Sequence, residues 1–197
     1  MNAMAYSFMA MITVGGCLTI LDRFHPSTWW QDVSASNATC LHYLGVMPTM
    51  LMGFEPAPQD RAHSIRFGFG AGVDPNLQAD FENRFGFPLI EAWAMTETGA
   101  GAVIASASKD RLVGKSSIGK PEAAVECKLL DDAGNEATQG ELLVRRAGDD
   151  PRYGFFSEYY KDPKATQEAW QNGWFHTGDI VRKDPSGNYF FVDRKKM

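Results

Sequence analysis

Apolar and polar positions follow two different rhythms along this chain, and the change falls near Lys115. Before it, helix-length and strand-length apolar runs take turns. Residues 3–14 are almost wholly apolar and predict a buried helix, with a short strand over 17–21 after Gly15-Gly16. Thr28-x-x-Gln31 resembles a capping box and predicts a helix through Val33. Residues 39–44 are rich in strand formers, Pro48 opens a helix through Met52, Glu55-Pro56-Ala57-Pro58 reads as a loop, and 64–69 as a strand. The clearest helix follows. Asp74 is placed to cap it, Pro75 suits its first turn, Leu77, Phe81 and Phe85 recur every four residues as one apolar stripe, and Gly86 ends it. A strand over 88–93 and a turn over 95–99 come next.

Such alternation predicts an α/β fold with a mainly parallel sheet flanked by helices over residues 1–117. From Ile118 the signals are those of hairpins. Strands are predicted over 125–130 and 141–145 around an Asp132-Ala133-Gly134-Asn135 turn. A helix capped by Asp162, with Pro163 at its first position, stops at Gly173, and two further strands flank Asp184-Pro185-Ser186-Gly187. Residues 118–197 therefore predict a small antiparallel, barrel-like subdomain.

Composition narrows the classes. Hydrophobic residues make up 44% and charged residues 22%, which excludes a disordered or fibrous chain. A net charge of -5 gives no general attraction to nucleic acid. Cys17, Cys40 and Cys127 are odd in number and far apart, which argues against a disulfide framework and for a reducing cytoplasm. The four histidines do not stand at metal-ligand spacing. Residues 3–21 carry no charge, but Tyr6, Ser7, Thr13, Gly15, Gly16 and Thr19 dilute them and no Lys or Arg precedes them, so neither a membrane span nor a signal peptide is expected. The chain starts within an apolar run and stops just after a strand, which leads to the expectation that it is part of a longer protein.

Four segments could carry chemistry. Gly68-Phe69-Gly70-Ala71-Gly72 joins a strand to the capped helix, and its glycines would let a ligand approach the backbone. Position 73 is Val, so the dinucleotide fingerprint fails, and a tight turn explains the segment equally well. Trp93-Ala94-Met95-Thr96-Glu97-Thr98-Gly99 sets hydroxyls beside a carboxylate after a buried strand, which suits phosphate and Mg²⁺; a loop in which Thr96 or Thr98 bonds the backbone suits it too. In Gly173-Trp174-Phe175-His176-Thr177-Gly178-Asp179 the aspartate, near a strand start, could accept from a ribose diol or simply serve a turn. In Phe191-Val192-Asp193-Arg194-Lys195-Lys196 the guanidinium could bind ribose or phosphate, or merely face water.

In this order and spacing the four segments resemble the adenylate-forming superfamily of acyl- and aryl-CoA synthetases, luciferase and peptide-synthetase adenylation domains. Gly140-Glu141-Leu142-Leu143-Val144-Arg145 and Tyr159-x-x-Asp162-Pro163-x-Ala165-Thr166 also look like that family, so the likeness covers essentially the whole chain. The Trp174–Asp179 spelling is that of acyl-CoA synthetases, and residues 2–7 and 42–48 are similar to crotonobetaine/carnitine-CoA ligase-like members. The resemblance implies an AMP-forming ligase that joins a small carboxylic acid to the α-phosphate of ATP and then passes the acyl group to coenzyme A. It implies roles for single residues as well. Gly70, Ala71 and Gly72 would line the adenine slot, Glu91 would face the adenine amine, and Trp93 would stack on the base. Thr96 would contact phosphate, and Glu97 would hold Mg²⁺. Asp179 and Arg194 would bind ribose, Phe191 joins the nucleotide contacts, and Lys196 falls at the hinge before a mobile lid. Trp93, Ala94 and Gly72 depart from the usual Tyr, Gly and Pro, which keeps open a nucleotide-binding or interaction module without catalysis. A hydrolase that pairs Glu97 with Asp179 is the third reading. No oligomeric state is read from these residues.

The family's Ser/Thr/Gly-rich phosphate loop has no counterpart in these 197 residues, nor has the lid with its lysine. The chain by itself is therefore expected to form no acyl-adenylate. Pyrophosphate release by the isolated chain, given ATP and a panel of carboxylic acids, should stay at background.

Overall fold

A computed structural model describes residues 3–106 and 111–195, and the chain divides into two compact units. The first holds residues up to Glu91 together with 111–116, and the second holds 92–106 and 117–195.

In the first unit a π-helical turn, Ala3–Phe8, leads into α1 (Met9–Val14). The apolar run does form a helix, but not a buried one. From Phe8 to Val14 no side chain is buried, and Phe8, Met9, Ile12 and Val14 face solvent. Hydrophobicity drives burial only where another element supplies a covering face, and none does so among the described residues. Residues 17–21 form no strand. Then come α2 (Trp29–Ser36), β1 (Cys40–Leu44), α3 (Val46–Met52), β2 (Phe67–Ala71), α4 (Pro75–Phe85) and β3 (Leu89–Trp93). Thr28 does not cap α2 as a capping box would; its hydroxyl donates to Asp32 at 3.1 Å instead. For α4 the sequence signals hold. The Asp74 carboxylate accepts from the Asn76 amide at 2.9 Å, and Gly86 closes the helix at φ 81°.

α4 buries Phe81 and Phe85 in a core with Trp29, Trp30, Tyr43, Leu51 and Leu89. The Phe85 ring stacks on Trp30 at 4.5 Å between centroids. Three buried or half-buried polar pairs tie the periphery to this helix. Arg84 donates to Asp60 at 2.8 Å and to the Phe54 and Glu55 carbonyls. Arg111 forks onto both Glu82 oxygens at 2.5 and 2.8 Å, and the Gly114 amide reaches Gln78 at 2.8 Å.

The second unit adds β4 (Ile104–Ala105), β5 (Ser117–Pro121), β6 (Val125–Leu130), β7 (Gln139–Arg146), α5 (Pro163–Ala169), β8 (Trp170–Gln171), β9 (Trp174–Lys183) and β10 (Tyr189–Arg194). Its strands run in the order β4-β5-β10-β9-β7-β6, with β8 paired to β9.

The fold-class expectation needs correcting on both counts. Only β1 with β2 and β2 with β3 pair in parallel, and every other described pairing is antiparallel. After β3 the chain turns back without a crossover helix, so Ala92 and Trp93 pair antiparallel with Ala105 and Ile104. A parallel pairing needs a crossover of a dozen or more residues, and a tight turn cannot supply it. The sheet is also not a barrel, because the path ends at β6 and does not close. Closure depends on strand number and stagger, which hairpin signals do not encode.

Phe85→Ala should cost about 3–5 kcal/mol of stability, because the buried ring is packed between Trp30 and Phe81. Urea denaturation followed by tryptophan fluorescence measures it.

Candidate functional site

In the first unit a buried carboxylate organises the glycine turn. β2 lies between β1 and β3, with Gly70 opposite Tyr43 on one side and Glu91 on the other. A Cβ at Gly70 would lie 2.2 Å from the Tyr43 carbonyl oxygen, so this glycine is required by close strand approach. Gly72 turns the chain at φ 80° toward the Asp74 cap. Its amide donates to Glu91 Oε2 at 2.9 Å, the Val73 amide donates to Oε1 at 3.4 Å, and the Tyr43 hydroxyl donates to Oε1 as well. Glu91 is only 6% exposed. Burial pushes its carboxyl pKa up, and the three donors pull it partly back. Burial and the adjacent carboxylate push the Tyr43 hydroxyl well up, so it remains a donor. The sequence pointed to Gly70, Ala71, Gly72 and Glu91 and assigned Tyr43 no role.

In the second unit the Thr-Glu-Thr turn follows β3. Its two threonines divide the work. Thr98 is fully buried and closes the loop, accepting from the Met95 amide at 3.0 Å and donating to the Met95 carbonyl at 3.1 Å. Thr96 is left exposed and Glu97 half-buried. A second loop, 153–160, grips this turn through the backbone. The Gly154 carbonyl accepts from the Ala100 and Gly101 amides at 3.1 Å each, and the Phe156 amide donates to the Glu97 carbonyl at 2.8 Å. Gly99, at φ 50°, has no room for a Cβ, which would sit 2.5 Å from the Gly154 carbonyl oxygen. The Tyr159 hydroxyl donates to Glu97 Oε1 at 3.0 Å.

Asp179 is not near a strand start but sixth in the ten-residue β9. Between Glu141↔Ile180 and Leu143↔His176 the register slips, and the extra length on β9 is a bulge through Thr177, Gly178 and Asp179. Each bulge residue has a partner. Thr177 donates to the Leu142 carbonyl at 2.7 Å, the Gly178 amide to Glu141 at 3.2 Å, and the Lys195 amide to the Gly178 carbonyl at 2.7 Å. Gly178 adopts φ 71°, which a side chain would strain. A second slip on β10, between Phe191 and Asp193, brings Arg194 opposite Asp179.

Asp179 is thereby 5% exposed. Its Oδ2 accepts from the Trp93 indole N–H at 2.8 Å, across 86 positions of chain, and Oδ1 stands 3.7 Å from Arg194 Nε. Burial raises its pKa, the Trp93 bond and the Arg194 charge lower it, and the Glu97 charge raises it again. Trp93, Glu97, Asp179 and Arg194, drawn from three sequence segments, thus interact with one another. Trp93 itself is buried in the unit's apolar core, whereas Phe191 and Arg194 are exposed. Lys196 lies outside the described residues. Thr98 and Tyr159 were the residues that sequence reasoning left without a definite part. For Tyr159 the signal was its place in the Tyr159-x-x-Asp162-Pro163 segment.

Among the described residues no cluster of three or more His, Cys, Asp or Glu could hold a metal ion by itself. Glu97 fits a different mode. One oxygen accepts from Tyr159 and the carboxylate makes no ion pair among the described residues, which leaves lone pairs for a hard cation that also binds phosphate oxygens.

Residues 1–160 match the family model described as AMP-binding enzyme. A crotonobetaine/carnitine–CoA ligase of Salmonella heidelberg is 31% identical over 189 residues, covering 95% of this chain and 36% of that protein. The chain therefore spans about a third of the length of the curated relatives that it matches. The amide bond synthetase McbA of Marinactinospora thermotolerans superposes with a TM-score of 0.75 at 25% identity, over 91% of this chain and 36% of that one. The o-succinylbenzoate CoA synthetase of Bacillus subtilis, solved with its acyl-adenylate intermediate, gives a TM-score of 0.75 at 23% identity, over 95% and 37%. At that identity the second superposition speaks for the fold.

Trp93→Phe keeps an aromatic ring and removes the donor to Asp179. The variant should lose about 1–3 kcal/mol, and the Asp179 pKa should move further up, since its strongest stabilising partner is gone. The sign follows from the direction of the shift. A carboxyl whose folded pKa lies above its unfolded value costs stability as pH rises through that window, and the variant should widen it. Carbon-13 titration of the Asp179 carboxyl reads the shift directly.

Proposed function

The chain belongs to the AMP-binding enzyme family, and on that footing we propose that it is part of an AMP-forming acid–thiol ligase. In this reading a carboxylate oxygen of the acid attacks the α-phosphorus of ATP, and the bond to pyrophosphate breaks. The thiol of coenzyme A then attacks the acyl carbonyl of the mixed anhydride, loses its proton, and AMP leaves. The observation that carries the reading is the buried Asp179 carboxylate, which meets Trp93 and Arg194 and senses the charge of Glu97.

Each role follows from the chemistry of the group. Asp179, with Oδ1 directed to nothing stronger than a guanidinium at 3.7 Å, accepts from the ribose hydroxyls, and exposed Arg194 adds donors beside it. Thr96, spared from closing its own loop, donates to a phosphate oxygen. Glu97 would hold Mg²⁺. Bound there, Mg²⁺ would neutralise charge on the phosphates. Exposed Gly72 and half-buried Ala71, with at most a methyl group between them, offer their backbone to the adenine, Gly70 lets β2 pack closely on β1 behind them, and Glu91 keeps that turn in shape. Trp93, buried in the core, acts through its indole N–H by holding Asp179 in place, and Phe191 lies on the strand that carries Arg194. None of these groups forms a covalent bond. They position reactants and meet charge, which is what phosphoryl-centre chemistry requires. The acid of the Salmonella relative, a carnitine-type carboxylate, is the first substrate to test.

In a polypeptide of the relatives' full length, Asp179→Ala and Glu97→Gln should each reduce ATP–pyrophosphate exchange about 10²-fold or more, with the thermal midpoint little changed in Glu97→Gln. Exchange and AMP binding unaffected by both substitutions would sink the assignment.

A further inference from the structure

Loop 153–160 is mostly solvent-facing, yet it sends three aromatic side chains inward, Phe155, Phe156 and Tyr159. The neighbouring Tyr160 shows the contrast, since it is 85% exposed. Phe155 packs edge-on against Trp170 at 5.0 Å, and both phenylalanines meet the buried Phe175 at 5.8–5.9 Å. The Tyr159 ring leans on Phe156 at 4.7 Å. Its backbone is pinned on both sides to the start of α5. The Tyr159 amide donates to Thr166 Oγ1 at 2.9 Å, and the Asp162 amide donates to the Tyr159 carbonyl at 3.1 Å. A tyrosine fixed this firmly has little rotamer freedom left, so its hydroxyl is aimed before any ligand arrives.

The hydroxyl is aimed at Glu97 Oε1, 3.0 Å away. The same loop holds the Glu97 carbonyl through the Phe156 amide, so backbone and side chain of one residue are gripped together. Burial, and after it the Glu97 carboxylate, push the Tyr159 hydroxyl up to about 12 against the pull of Arg194. It therefore remains a donor across the neutral range. A carboxylate with one oxygen so engaged is restricted in its rotation, and its other oxygen keeps lone pairs for a ligand.

We infer that Tyr159 is a positioning residue for Glu97, fixing one carboxylate oxygen so that the other is presented to a divalent cation carried by a nucleoside triphosphate. The inference rests on the reading of Glu97 as the cation's carboxylate. It assigns the 153–160 loop a task, which is to orient a ligand group that it does not itself supply.

The test is a Mn²⁺ titration of the full-length protein with ATP, read by electron paramagnetic resonance, for wild type, Tyr159→Phe, Glu97→Gln and the double variant. Tyr159→Phe should weaken Mn²⁺ binding about tenfold, and the double variant should match Glu97→Gln, because the tyrosine acts only through the carboxylate. ATP binding in the presence of EDTA should be the same in Tyr159→Phe as in wild type. Unchanged Mn²⁺ affinity in Tyr159→Phe beside a loss in Glu97→Gln overturns the inference alone. Additive losses in the double variant, or an equal loss of metal-free ATP binding in Tyr159→Phe, overturn it too. Glu97→Gln with wild-type affinity, or no bound Mn²⁺ in the wild type, overturns the reading of Glu97 beneath it.

Discussion

A carboxylate taken out of water is tolerated only where donors meet it. The first unit buries Glu91, as well as Asp60 against Arg84, and the second buries Asp179. Much of the local geometry follows from satisfying them. Glu91 draws in the amides of Gly72 and Val73 and the Tyr43 hydroxyl, and so fixes the turn between β2 and α4. Asp179 draws in the Trp93 indole, which links the end of β3 to the middle of β9. Two register slips, on β9 and on β10, set Asp179 inward and Arg194 across from it. The bulge costs regular pairing, but Thr177, Gly178 and Asp179 each still find a hydrogen-bond partner.

The Thr-Glu-Thr turn is shaped by a different economy of polar groups. One hydroxyl is consumed in closing the loop, and the other is thereby free to face solvent. Loop 153–160 then adds a second layer of constraint from behind, backbone to backbone at Gly154 and Phe156 and side chain to side chain at Tyr159. The small residues at Gly99 and Gly101 are explained by this contact, because a side chain at either would collide with the opposing loop. A turn held this way needs no ligand to define its conformation.

Legibility in the sequence tracked the range of the forces involved. α4 was readable in full, since its cap, its first-turn proline, its stripe and its closing glycine are all contained between Asp74 and Gly86. The motif residues were readable one by one as chemical types. The exposed face of α1, the direction of the strands after Trp93 and the open edge at β6 were not, because each depends on what lies opposite in space. Tyr43 and Tyr159 were given no role for the same reason. Their partners are 48 and 62 positions away, and even the motif around Tyr159 does not say what its hydroxyl meets.

By itself, then, the sequence determined the local elements with strong caps and the chemical types of the candidate groups: the glycine turn, the Thr-Glu pair, the aspartate and the arginine. Short-range backbone sterics and side-chain chemistry suffice for that. Only the tertiary structure decided which threonine closes the loop, which donors hold each buried carboxylate, and that the sheet is mixed and open. Those outcomes depend on long-range strand register and on the competition of buried polar groups for partners, and a linear pattern carries neither.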